Sequence, residues 1–151
     1  MATATAPAPA ELSTTLMMTR RFEATPQRVF EAWLDPVQVA QWMGPRGFRA
    51  DVKQLDARTG GAYAITMHMS DGSSVQVSGV YKEISRHTRL VFTWKWQHDM
   101  QDTQVTLTFK PVGNATDMTI EHAGFTSGEQ RDNHNNGWAG CFDKLAEWLA
   151  G

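Results

Sequence analysis

Apolar and polar positions divide the chain into three stretches of different period. Between Thr15 and Phe22, the side chains of Leu16, Met18 and Phe22 share one parity, with Arg20 interrupting it, which is the two-residue alternation of a half-buried strand. Val29, Phe30, Trp33 and Leu34 then form one apolar stripe at helical spacing. Thr25-Pro26 in front of them supplies an N-cap and a proline at the first helical position. Asp35-Pro36 repeats that signal and opens a second short helix carrying Val39, Trp42 and Met43, which Gly44-Pro45 stops.

From Phe48 to His122 the helical period disappears and short alternating segments follow one another between turn residues, the pattern of an antiparallel meander. The predicted strands are Phe48 to Leu55, Ala62 to Met69, Ser74 to Ile84, Arg89 to Gln97, Thr103 to Lys110 and Ala115 to His122. Thr59-Gly60-Gly61, Ser70-Asp71-Gly72 and Val112-Gly113-Asn114 mark turns between them. Ser127-Gly-Glu-Gln130 then reads as a capping box, and Trp138, Phe142, Leu145 and Leu149 recur on one face of a long final helix. Gly137 and Gly140 inside that helix cost about 1 kcal/mol each relative to alanine, so a close approach to the sheet is expected there.

One strand, two short helices, six strands and a long helix make an α+β chain of the helix-grip type, a seven-stranded curved antiparallel sheet wrapped around the C-terminal helix. The inward parity of the strands carries Leu90, Phe92, Trp94 and Trp96, then Val105, Leu107 and Phe109, then Met118, Ile120 and His122. The first half of the final helix, from Arg131 to Asn136, offers no large apolar side chain to cover them. This mismatch predicts an apolar cavity, opening beside Arg131 to Asn136 and His122.

Composition narrows the partners. The 151 residues carry 14 Lys and Arg against 16 Asp and Glu, a net charge of -2 without a basic block, so nucleic acid is not an expected partner. The single cysteine, Cys141, permits no internal disulfide and, with no secretory signature, points to the cytoplasm. Residues 1–12 read as a flexible leader and 13–151 as one domain; no apolar run approaches a membrane span. The five histidines lack the spacing of a metal site, and neither a phosphate loop, a dinucleotide fingerprint nor a Ser-His-Asp set can be assembled. Neither metal nor cofactor is therefore expected.

Trp33-Leu-Asp-Pro36, Gln41-Trp-Met-Gly-Pro45, Gly60-Gly61, His122-Ala-Gly-Phe125 and Asn136-Gly-Trp138, in that order, resemble the activator of heat-shock-protein-90 ATPase homologue-like family. That family belongs to the START-like, or polyketide-cyclase-like (SRPBCC), superfamily. The resemblance implies the helix-grip fold and a hydrophobic ligand, and it alone brings in a chaperone partner. Met43 stands where that family commonly has a second tryptophan.

Six tryptophans and eight methionines are the unusual part of the composition, and they supply most of the candidate ligand-binding residues. These are Trp42, Met67, Met69, Phe92, Trp94, Trp96, His122, Asn135, Trp138 and Phe142. The expected function is binding of an apolar or aromatic small molecule of lipid or polyketide type. Two alternatives stand beside it: a cyclase- or hydrolase-type enzyme in which His122 with Asn135 or Tyr63 polarises the substrate, and a co-chaperone-like interaction module. No catalytic residue is assigned. Cys141 is expected to be a small buried hydrophobe, Asp99 and Asp102 solvated loop charges, and a homodimer is compatible with all of this.

Overall fold

The computed structural model describes residues 15–99 and 101–151 of the chain; the expected leader over residues 1–12 lies outside them. Among the described residues the strands are β1 (Leu16–Phe22), β2 (Arg49–Leu55), β3 (Ala62–His68), β4 (Ser74–Ser85), β5 (Arg89–Trp96), β6 (Thr103–Val112) and β7 (Ala115–Ala123). The helices are α1 (Pro26–Leu34), α2 (Pro36–Trp42) and α3 (Gly128–Ala150). Boundaries differ from the sequence expectation by one or two residues at strand ends, where alternation carries no information about the last hydrogen bond.

The strands form one antiparallel sheet in the order β1-β7-β6-β5-β4-β3-β2. Register aligns the inward rows: Leu90 faces Leu107, which faces Ile120, and Phe92 faces Val105, which faces His122. All six of these side chains are buried, and together they form the continuous apolar surface against which α3 packs Trp138, Phe142, Leu145 and Leu149. A register shift between Tyr81 and Glu83 bends β4 against β5. Nearby, a Cβ at Gly79 would collide with the Thr93 carbonyl oxygen, and the Thr93 hydroxyl accepts from Val80 N at 2.8 Å. Only glycine fits that approach.

Local chemistry sets the helix starts. The Thr25 hydroxyl accepts from Arg28 N at 3.3 Å, and the Asp35 carboxylate from Val37 N at 3.0 Å. Ser127 caps α3 by accepting from Gln130 N at 3.2 Å. The return half of this box reaches one residue further back than expected: Gln130 Oε1 accepts from the backbone and hydroxyl of Thr126, at 3.1 and 2.8 Å.

The glycines of α3 also serve a different neighbour from the one expected. A Cβ at Gly137 would lie 3.7 Å from Pro45 Cγ, and one at Gly140 would lie 3.4 Å from Arg46 N. The close approach is to the loop after α2, not to the sheet. Lys144 fastens the same loop, its Nζ donating to the carbonyl oxygens of Met43, Gly44 and Phe48 at 3.4, 3.0 and 3.2 Å.

Candidate functional site

Where the first half of α3 crosses the strand ends, its polar sequence leaves the sheet uncovered. A cavity of about 410 Å³ opens there. This size lies in the range that accommodates small organic ligands. Its walls are Met67 of β3, Val75 of β4, Trp94 and Trp96 of β5, Met69, and the Pro45 to Phe48 loop; Gly137, Trp138 and Cys141 close it from α3. The polar side chains on its lining, His98, Asp99, Gln130, Asn133 and His134, belong to α3 and the turn after β5.

Of the residues named from sequence, Met67, Met69, Trp94, Trp96 and Trp138 therefore meet at one cavity. Trp42, Phe92 and Phe142 do not line it. Trp42 is wholly buried, donates from Nε1 to Ala32 O at 3.0 Å and packs edge-on to Trp33, closing the core as a plug. Phe142 lies one helical turn deeper than Trp138 and stacks beneath it, ring centroids 5.6 Å apart. Phe92 packs against Tyr63 and Tyr81 around a separate small void. Asn135 is exposed on the outer side of α3, because Asn133, His134 and Gly137 take the inward positions.

His122 is not at the rim but fully buried behind Trp138. Its partners are side chains rather than the backbone. Trp138 Nε1 can only donate, so His122 Nδ1 accepts from it at 3.1 Å. Thr103 spends its hydroxyl proton on Trp94 O at 2.8 Å and so accepts from His122 Nε2 at 2.7 Å. These bonds fix one neutral tautomer, and burial, with a smaller contribution from His134, holds the imidazole well below its ordinary value. A proton added at Nδ1 would face the indole N–H. His122 thus ties β7, β6 and α3 together in its neutral form.

A second Trp-His pair spans the mouth. Trp96 Nε1 donates to His134 Nε2 at 2.8 Å, which leaves His134 Nδ1 to donate to Gln130 O at 2.8 Å. Partial burial lowers the His134 pKa, opposed by its bond to Gln130 and by the Asp99 charge. Sequence reading weighed His134 only as a metal ligand and missed this bridge, since nothing in the pattern links a strand-end indole to a helix imidazole 38 residues away.

Burial pushes the Cys141 thiol up to about 12, with a bond to the Gly44 backbone acting weakly against it. Tyr63 donates to Thr93 O at 2.5 Å, is held well above its ordinary value by burial, and lines the separate void, so it cannot polarise anything in this cavity. Among the described residues, no three His, Cys, Asp or Glu side chains are grouped to hold a metal ion, and no helix is long and apolar enough to cross a membrane.

A crystal structure of a Chromobacterium violaceum protein is 29% identical, with a TM-score of 0.86 over 91% of this chain and 98% of that one. A crystal structure of an AHSA1 protein from Silicibacter pomeroyi is 28% identical, with a TM-score of 0.80 over 90% and 97% of the two chains. A solution structure of an Arthrobacter aurescens protein, 24% identical over 92% of this chain and 87% of that one, shares the fold at a TM-score of 0.83. No curated protein matches. The model of the family described as activator of Hsp90 ATPase homolog 1-like protein matches residues 23–150, nearly the whole helix-grip domain, and the chain belongs to that family.

Proposed function

We propose that the protein binds an apolar, ring-containing small molecule in the cavity between β3–β5 and α3, without chemically altering it. One observation carries this reading: three indole rings and two thioethers converge on a space of about 410 Å³ while the buried histidine behind them is committed to a neutral hydrogen-bonded role. Aromatic walls give area and stacking, and methionines adapt to ligand outline. The polar groups on one side would orient the ligand at the mouth.

An enzyme of the cyclase or hydrolase kind would need an acid or base aimed at the substrate, and His122, Tyr63 and Asn135 do not meet in the cavity. For a chaperone contact the support is the family's description alone. The exposed large apolar side chains of the described surface, Met17, Val37 and Val80, stand on β1, α2 and β4 and form no common patch by sequence or element.

The test is occupancy. Native mass spectrometry of protein purified from its own host should show an intact small molecule released on unfolding. Val75→Trp, which places an indole into the cavity from a half-buried position, should abolish that adduct while leaving the circular dichroism spectrum unchanged. A Val75→Trp protein that retains the adduct would place the ligand elsewhere and defeat the reading.

A further inference from the structure

The charge on the cavity lining is one-sided. Among the described residues no lysine or arginine lines it, whereas Asp99 does, at the turn that follows Trp96. Asp99 N donates to Trp96 O at 3.2 Å, so the turn is folded back on the strand, and Asp99 shares the cavity lining with Trp96. Its charge is felt across the mouth at His134. The nearby cations are engaged elsewhere: Arg131 pairs with Asp132 at 2.9 Å, and Lys95 lies 4.0 Å from Asp102.

On the same lining stand Trp94, Trp96 and Trp138, with Trp94 and Trp138 ring centroids 4.9 Å apart and Trp94 edge-on to Trp96 at 5.4 Å. Indole faces carry the negative part of the ring quadrupole and attract cations more strongly than other aromatic side chains do. The Trp96 and Trp138 N–H groups are turned away into bonds with His134 and His122, so their donor edges are already satisfied. With those N–H groups engaged, what the two residues leave on the lining is ring surface without a free donor, one face of Trp138 being stacked on Phe142. His134 accepts from Trp96 and is uncharged in that bond, adding no positive charge to oppose a cation.

Resting on the binding function proposed above, we infer that the ligand class is a cationic aromatic molecule, such as an N-alkylated heteroaromatic ring, its apolar body against the indoles and its positive charge toward Asp99. A neutral hydrocarbon would gain the walls but not the carboxylate. An anion would be repelled.

The matched pair 1-methylquinolinium and 1-methylnaphthalene, equal in shape and differing by one ring atom and one charge, tests this by isothermal titration calorimetry at pH 8, where an ordinary imidazole is neutral. Both should bind the wild-type protein. Asp99→Asn should weaken 1-methylquinolinium by about threefold to fivefold, the upper part of the range for an exposed ionic contact, and Asp99→Lys by more, while 1-methylnaphthalene changes by less than about twofold in either. Added salt should weaken only the cation. Hydrocarbon binding without cation binding, or Asp99 variants that leave the cation's affinity unchanged or shift both probes alike, would overturn the inference and leave the cavity function standing. Failure of both probes to bind would overturn both.

Discussion

His122 has its protonation state set by its hydrogen-bond partners rather than by its strand position. Its parity places it inward, and a lone inward histidine invites an acid-base role, but two hydrogen bonds fix it as a neutral connector of β6, β7 and α3. The consequence is a pH dependence of stability. Because the folded pKa is lowered below the ordinary value near 6.5, the unfolded chain takes up a proton first as pH falls. Stability is therefore full above about pH 6.5 and declines below it, by at most about 1.4 kcal/mol per pH unit for this group. Denaturant titrations at pH 7.5 and pH 5 should show that decline, and His122→Gln, which can still bond but cannot titrate, should reduce it. His134, lowered in the same direction, would supply the slope that remains. His122→Phe should cost about 1–3 kcal/mol at pH 7.5, since it strands the Trp138 indole N–H in the core.

At the scale of elements, the loop after α2 forms part of the cavity wall, closed by a turn bond from Phe48 N to Pro45 O at 3.0 Å and tied to α3 through Lys144. Lys144→Met keeps the aliphatic stem and removes the three donors. It should lower stability by about 1–2 kcal/mol and raise hydrogen exchange in residues 44–48 above that of the strands. Gly137 tests the other side of the same contact. A methyl there sits at ordinary packing distance from Pro45, so Gly137→Ala should gain part of the alanine helix preference, about 0.5–1 kcal/mol, read by thermal or denaturant unfolding. Gly140→Ala should gain no more than this, because its methyl would already touch the Arg46 backbone N at 3.4 Å, the near limit of ordinary contact.

Much of this element structure was legible in the chain, and for a physical reason. Alternation, caps such as Thr25 and Ser127, and the Trp138–Phe142–Leu145–Leu149 stripe are local consequences of which atoms need water or a hydrogen bond. The cavity was legible too, since the polar run before Trp138 is a shortage that can be counted along the sequence. Which aromatic residues line it was only half legible. Trp94 and Phe92 share a parity, yet only Trp94 reaches the cavity; parity fixes the face of a sheet and not the depth along it. The bridges Trp96–His134 and Trp138–His122 depend on side-chain reach between elements far apart in sequence, and no local pattern encodes that.

For the whole molecule, ligand binding and stability are one quantity seen twice. A ligand held only by the folded cavity raises the unfolding free energy by about 2.7 kcal/mol at a hundred times its Kd. The thermal midpoint of the wild-type protein should rise with 1-methylnaphthalene concentration, and that of Val75→Trp should stay flat.

The sheet order also has a kinetic side. Every neighbouring pair of strands from β2 to β7 is consecutive in the chain, whereas β1 joins β7 across a separation that sets Leu16 against His122. Closing that long loop costs more chain entropy than any hairpin in the meander, so the meander should assemble first and the opening strand should dock last. During that interval the outer backbone of β7 is an unpaired edge, open to the β1 of another molecule. Phe22→Leu, a buried change in the late-docking strand, should then speed unfolding in stopped-flow experiments while leaving the folding rate nearly unchanged. Refolding at high protein concentration should be the condition under which chains exchange their first strands.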